Sequence, residues 1–145
     1  MSQRKYAIEL IAECGLGGAK PAGTPLEQNQ KLTSVKYDES ILQTNEPMMQ
    51  DPSRYQRSVG RLLYLTMTRP DLAFPVQVLS QFMHCPKESH MEAALRVVRY
   101  LKEASGLGLL MPVEDTIELL AYCDLDWGTC LETRRSITGY LVKLG

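Results

Sequence analysis

The chain has 145 residues, 44% hydrophobic and 23% charged, which is enough apolar material for one modest core or two incomplete ones and too much for a disordered chain. Its net charge of -1 conceals an asymmetry, since residues 53–102 hold eight Lys or Arg against three acids, whereas residues 103–132 hold seven acids and no base. No apolar run nears the roughly 18 residues of a membrane span, and the first dozen residues lack a signal-peptide core, so a soluble, intracellular chain is expected. Cys14, Cys85, Cys123 and Cys130 form no Cys-x-x-Cys pair and are expected to be reduced and structural rather than zinc ligands or disulfides.

In chain order, Tyr6, Ala7, Leu10, Ile11 and Cys14 recur at helical spacing, with Ser2 placed to cap the helix start and Gly15 its end. Periodicity disappears over residues 17–50, which are rich in Gly, Pro, Asn, Gln and Thr and are expected to form a linker or surface-hugging strap. Asp51-Pro52 signals a second helix, with Tyr55, Val59, Leu62, Leu63 and Thr66 on one face and Pro70 as its stop. Gly60 inside it costs about 1 kcal/mol relative to Ala, which points to close packing against a neighbouring helix. A third helix is expected from Pro70 to Met83, burying Leu72, Val76, Leu79 and Met83, with Pro75 kinking it or delaying its start. Ser89 and Glu92 have capping-box spacing, and Met91, Ala94, Leu95, Val98 and Leu101 form the stripe of a fourth helix ended by Gly106. The period then changes to two: Ile117, Leu119, Ala121 and Cys123 alternate with their neighbours, and Ile137 to Leu144 supplies a second strand to pair with the first.

Several ordered elements carry a resemblance. Tyr64-Leu65 with Thr68-Arg69-Pro70-Asp71 is followed by Ser80-Gln81-Phe82, by His90 with Ala93, and by Arg99-Tyr100-Leu101-Lys102. Further on come Tyr122-Cys123-Asp124-Leu125-Asp126-Trp127 and Arg134-Arg135-Ser136 before Gly139-Tyr140, and the opening residues 2–11 fit the same pattern. The chain resembles the Pol polyprotein of copia-type retrotransposons, from the end of reverse transcriptase into the first hairpin of RNase H. It departs from that pattern at Pro75 and at Thr129 to Thr133.

The resemblance implies an α+β fold: a four-helix thumb- or connection-like segment followed by an incomplete RNase H-like β-hairpin. Residues 1–16 would enter the thumb, 17–50 form a linker, 51–110 the helical thumb or connection region, and 111–145 the truncated start of an RNase H-like domain. Polymerisation needs carboxylates converging on two divalent cations about 4 Å apart. Reverse transcriptases supply them partly from a Tyr-x-Asp-Asp hairpin, and this chain contains no Asp-Asp dipeptide. RNase H uses about four acids around two Mg²⁺. By resemblance Asp124 is the first of these, a remnant catalytic and metal-binding residue, whereas Asp126 is a weaker metal candidate belonging more to the Asp-Trp element. Taken without the family, Asp124 reads first as a solvated acid at a strand end and only second as a metal ligand.

Two basic faces suggest nucleic-acid contact. Arg54, Arg57 and Arg61 fall at i, i+3 and i+7, and Arg96, Arg99 and Lys102 repeat every three residues, a spacing that suits phosphates or an ordinary solvated face. His84 and His90 lie six apart and do not share a helical face, Trp127 reads as packing before base stacking, and Tyr100 and Leu101 read as core. The expectation is a fragment that catalyses nothing, needs no cofactor of its own although the parent enzyme uses Mg²⁺, and at most binds an RNA-DNA or DNA duplex weakly through phosphates. No membrane or small-molecule substrate is expected, and the oligomeric state is left open. The alternative is a helical protein-interaction module derived from a transposon.

Overall fold

The computed structural model of the chain describes residues 1–27, 31–42, 46–110, 119–126 and 137–144. It is of mixed α and β class and divides into two compact units, Met1–Leu109 and Leu110–Gly145. Trp127, Cys130 and the altered loop at Thr129 to Thr133 lie outside the described residues.

Helix α1 spans Arg4–Glu13 and buries Ala7, Leu10 and Ile11. Ser2 does not cap it: Gln3 holds that position, and the Ser2 hydroxyl donates to the Gly106 carbonyl at 3.3 Å. Gly15 ends it as expected, at φ +70°, a left-handed conformation that costs glycine little. Gly15 N–H then reaches Ala12 and Leu16 N–H reaches Ile11, each at 3.0 Å, satisfying two terminal carbonyls.

Within residues 17–50, the strap, the described residues 17–27, 31–42 and 46–50 are more ordered than their sequence suggests. They carry the one-turn helix α2 at Val35–Tyr37, capped by the Ser34 side chain, and a wider π-type turn at Asp38–Leu42. Ala22, Thr33 and Asp38 are buried, and Met48 makes an antiparallel bridge with Lys87. Helix α3 follows at Ser53–Leu65, started by the Asp51 carboxylate accepting from Ser53 N–H at 2.9 Å. It stops at Leu65, short of Pro70, and buries Tyr55, Val59, Leu62 and Leu65. Leu63 is 42% exposed rather than in the core, and Thr66 is only half-buried. Gly60 is likewise not a packing glycine, because a Cβ placed there would meet nothing within 4 Å.

The expected third helix is divided. Pro70–Leu72 forms a 3₁₀ turn and α4 occupies Ala73–Ser80, so Pro75 falls in the first helical turn, where a missing N–H breaks no intrahelical bond. Met83 lies beyond the helix and is half-buried. Helix α5 spans Glu88–Glu103, and its stripe is buried at Met91, Ala94, Val98 and Leu101. Its start is not the Ser89/Glu92 capping box. Lys87 is the N-cap, and the His90 ring accepts the Lys87 N–H at Nδ1, 3.0 Å away. Ser89 instead donates its backbone N–H and its hydroxyl to Glu46, at 2.7 and 2.8 Å.

The apolar faces of α1, α3, α4 and α5 meet in one core. Beside it lies a buried polar network that fastens the strap to the start of α5. Lys87, 3% exposed, donates to Asp38 Oδ2 at 2.5 Å, while Thr33 Oγ1 donates to the other Asp38 oxygen at 2.5 Å. His90 Nε2 meets the Thr33 carbonyl at 3.0 Å, so Nε2 carries the proton and Nδ1 accepts. Phe82 stacks on the His90 ring with centroids 4.0 Å apart. Burial pushes the Asp38 carboxyl up, but the Lys87 ammonium and the Thr33 hydroxyl overcome it and hold it below the usual carboxylate range.

The second unit pairs β1, Leu119–Asp126, with β2, Ile137–Leu144, antiparallel in register from Leu119↔Leu144 to Asp126↔Ile137. Alternate residues share a face, and on one face Leu119, Ala121, Cys123, Tyr140 and Val142 are all exposed.

Candidate nucleic-acid interface

The solvent face of α3 carries Arg54, Arg57 and Arg61, and the structure treats the three differently. Arg54 and Arg57 are exposed, and their side chains make no ion pair among the described residues. Both line a cleft of about 290 Å³ between the end of α1 and the start of α3, together with Cys14, Asp51 and Ser58. Burial raises the Cys14 thiol against a Ser58 hydrogen bond and the Arg54 charge, which disfavours the reactive thiolate. Arg61 lines the same cleft but is paired there with Glu13. Its guanidinium lies 4.7 Å from the Tyr6 ring centroid, and its Nε donates to the Tyr6 hydroxyl at 3.3 Å.

The basic face of α5 is covered by the strap. Arg96 donates from Nη1 to Glu27 at 2.9 Å and from Nη2 to Thr24 Oγ1 at 3.1 Å. Lys102 gathers three carbonyls, those of Leu16 at 3.2 Å, Gly17 at 2.5 Å and Ala19 at 2.7 Å. Arg99 is half-buried, and its backbone carbonyl accepts from Ala22 N–H at 3.3 Å. Helical spacing correctly places these cations on common faces, but it carries no information about the strap that crosses one of them.

The family-like elements turn out to be neighbours in space. Arg69, 3% exposed, donates from Nε and Nη2 to the two Asp71 oxygens at 2.9 and 2.8 Å, and from Nη1 to the Ala104 carbonyl just past α5 at 2.8 Å. Its guanidinium lies 5.8 Å from the Tyr100 ring centroid. Burial raises the Asp71 carboxyl, but Arg69 and the Tyr100 hydroxyl hold it below the usual range. Thr68 donates to the Gln3 side chain at 2.9 Å, and the Tyr55 hydroxyl donates to the Leu79 carbonyl at 2.7 Å. The Thr-Arg-Pro-Asp and Arg-Tyr-Leu-Lys elements therefore clamp one another, and the Phe and His elements stack. Composition and spacing alone point to none of these contacts; an arginine and an acid flanking Pro70 are the nearest signal.

In the second unit, Asp124 and Asp126 lie two residues apart on β1, opposite Gly139 and Ile137. Among the described residues no group of three or more His, Cys, Asp or Glu is placed to hold a metal.

The sequence that carries these elements matches known proteins along its whole length. It is 37% identical over 145 residues to the retrovirus-related Pol polyprotein from transposon RE1 of Arabidopsis thaliana, covering all of this chain and 9% of that protein. The corresponding polyprotein from transposon TNT 1-94 of Nicotiana tabacum is 36% identical over 142 residues, 97% of this chain and 10% of that protein. An uncharacterized mitochondrial protein of Arabidopsis thaliana is 36% identical over 147 residues, and the match covers 56% of it. The chain belongs to the Pol polyprotein family of copia-type retrotransposons. It spans about a tenth of the length of the transposon polyproteins it matches. No family model matches it, and no solved structure matches it.

Proposed function

We propose that this chain is the stretch of a copia-type Pol polyprotein in which the helical end of reverse transcriptase passes into RNase H, and that it supports nucleic-acid binding without catalysing a reaction itself. In the whole polyprotein the activities would be RNA-directed DNA synthesis and cleavage of RNA-DNA hybrids, with Mg²⁺ supplying charge neutralisation and an activated oxygen at carboxylate clusters. Asp124 would be one remnant of such a cluster, with Asp126 beside it. The helical unit would contact the sugar-phosphate backbone weakly and without reading sequence.

The observation that carries this reading is the exposure of Arg54 and Arg57 on α3, three residues apart and without ion-pair partners among the described residues. Two such cations suit adjacent phosphates. The test is the salt dependence of binding to an RNA-DNA hybrid. A low-affinity complex should weaken steadily with salt, and the Arg54→Ala/Arg57→Ala variant should lower the log-log slope by about two. Tight binding that survives high salt would contradict the proposal.

A second reading, a protein-interaction module, is favoured by the exposed apolar face formed by Leu119, Cys123, Tyr140 and Val142 on the hairpin. Concentration-dependent self-association lost on Tyr140→Lys would favour that reading.

A further inference from the structure

We propose that residues 16–27 of the strap occlude a second phosphate-binding face on α5, so that nucleic acid reaches Arg96 and Lys102 only by displacing them. This rests on the nucleic-acid reading above and adds regulation to it.

The strap supplies α5 with the oxygen atoms that a nucleic-acid backbone would supply. Glu27 presents a carboxylate to Arg96, and Thr24 presents a hydroxyl. Lys102 receives three carbonyl oxygens in place of water or phosphate. The substitution is imperfect, because Arg96 Nε is buried with no hydrogen-bond partner among the described residues. Glu27 therefore uses one prong of a guanidinium that can grip a phosphate by two parallel N–H bonds. A phosphate diester that engaged Nε together with one Nη would satisfy the atom the strap leaves orphaned.

Leu16, Ala22 and Leu26 rest against the core, but the rest of the segment is held to α5 by side-chain rather than backbone bonds. It contains Gly17, Gly18, Pro21, Gly23 and Pro25 and forms no helix or strand between Leu16 and Glu27. Glu27 is 56% exposed, so its pair with Arg96 is of the surface kind that salt screens readily. One backbone bond ties the middle of the strap to α5, from Ala22 N–H to the Arg99 carbonyl at 3.3 Å. Arg54 and Arg57 stand open by contrast, so first contact falls on α3 and engagement of α5 follows strap release.

The experiment measures fluorescence anisotropy of a labelled RNA-DNA hybrid with the full chain at low salt. Glu27→Gln should tighten binding by roughly threefold, the scale of one surface ion pair. Glu39→Gln is the control, because it removes the same charge from an exposed position with no ion pair among the described residues. It should give a clearly smaller gain. In an Arg96→Ala background the Glu27→Gln gain should vanish. Hydrogen exchange supplies a second readout: hybrid should speed exchange at the Ala22 amide. Equal gains from Glu27→Gln and Glu39→Gln, or a gain that persists without Arg96, overturn the occlusion. If wild type binds hybrid through Arg54 and Arg57 while Glu27→Gln is inert, the nucleic-acid reading stands and the occlusion falls. If no variant binds hybrid at all, the nucleic-acid reading itself fails.

Discussion

Arg69 and Asp71 are two residues apart and joined by two parallel hydrogen bonds of 2.9 and 2.8 Å, with Pro70 between them fixing the turn. The third guanidinium donor reaches Ala104, so a single buried side chain ties the α3–α4 connection to the end of α5. Lysine lacks the planar fork, and its three donors sit on one nitrogen that cannot span Asp71 and the Ala104 carbonyl as the guanidinium does. Arg69→Lys should therefore destabilise the helical unit by about 2 kcal/mol, and Arg69→Ala by about 3 kcal/mol, as a shift of the urea midpoint. An unchanged midpoint for Arg69→Ala would show the clamp to be inert.

The Lys87–Asp38 pair makes a contrasting test. Removing Lys87 leaves Asp38 charged, buried and without its cation, so Lys87→Met should cost about 3 kcal/mol, whereas Asp38→Asn leaves Lys87 its longer pair with Glu46 at 3.5 Å and should cost less. Replacing both with apolar residues, Asp38→Leu/Lys87→Met, should recover most of that loss, because the desolvation of two ions is relieved together. A strictly additive double variant would contradict the pairing.

His90 gives a pH signature. Burial, then the Lys87 charge, lowers its pKa from 6.5 to about 4, against the opposing influence of the Thr33 carbonyl and of Glu46 and Asp38. Between those values the unfolded chain binds a proton that the folded chain refuses. The stability is complete above pH 6.5 and falls as the pH drops toward 4, by on the order of 3 kcal/mol in all. Asp38 and Glu46 act in a lower window, since their carboxyls are held below the ordinary range and their contribution is lost only as the pH falls through it. Urea unfolding at pH 7 and pH 5 measures the slope, and His90→Gln should flatten it.

Two glycines separate by sign. Gly60→Ala fills open space on an exposed helical turn and should stabilise by about 0.5–1 kcal/mol in thermal melts. At Gly108 a Cβ would run into the Met1 carbonyl, next to the paired backbones of Met1 and Leu109, so Gly108→Ala should lower the melting temperature.

Periodicity made the amphipathic stripes legible, with Tyr55, Val59 and Leu62 on α3 and Ala94, Val98 and Leu101 on α5 buried as their spacing predicts. The period-two segments pair antiparallel over Leu119–Asp126 and Ile137–Leu144. Helix starts were less legible, because tertiary partners decided them. Ser89 is drawn to Glu46 and leaves the capping position to Lys87 and His90. The strap was least legible, since its order comes from contacts with α5 rather than from its own propensity. Its lack of repeat conceals the burial of Thr33 and Asp38. For the same reason the spacing of Arg61, Arg96 and Lys102 identifies their faces and leaves out Glu13, Glu27 and the carbonyls that hold them.

The central claim is a division of labour: family-like residues such as Arg69 hold the core, while open cations such as Arg54 and Arg57 meet phosphate. One paired measurement tests it directly, with urea stability and hybrid-binding salt slope recorded for Arg69→Lys and for Arg54→Ala/Arg57→Ala. The account predicts that the first variant loses stability and, where still folded, keeps its slope, whereas the second keeps its stability and loses about two from the slope. The reverse pattern, with binding lost at Arg69 and unchanged without Arg54 and Arg57, would contradict it.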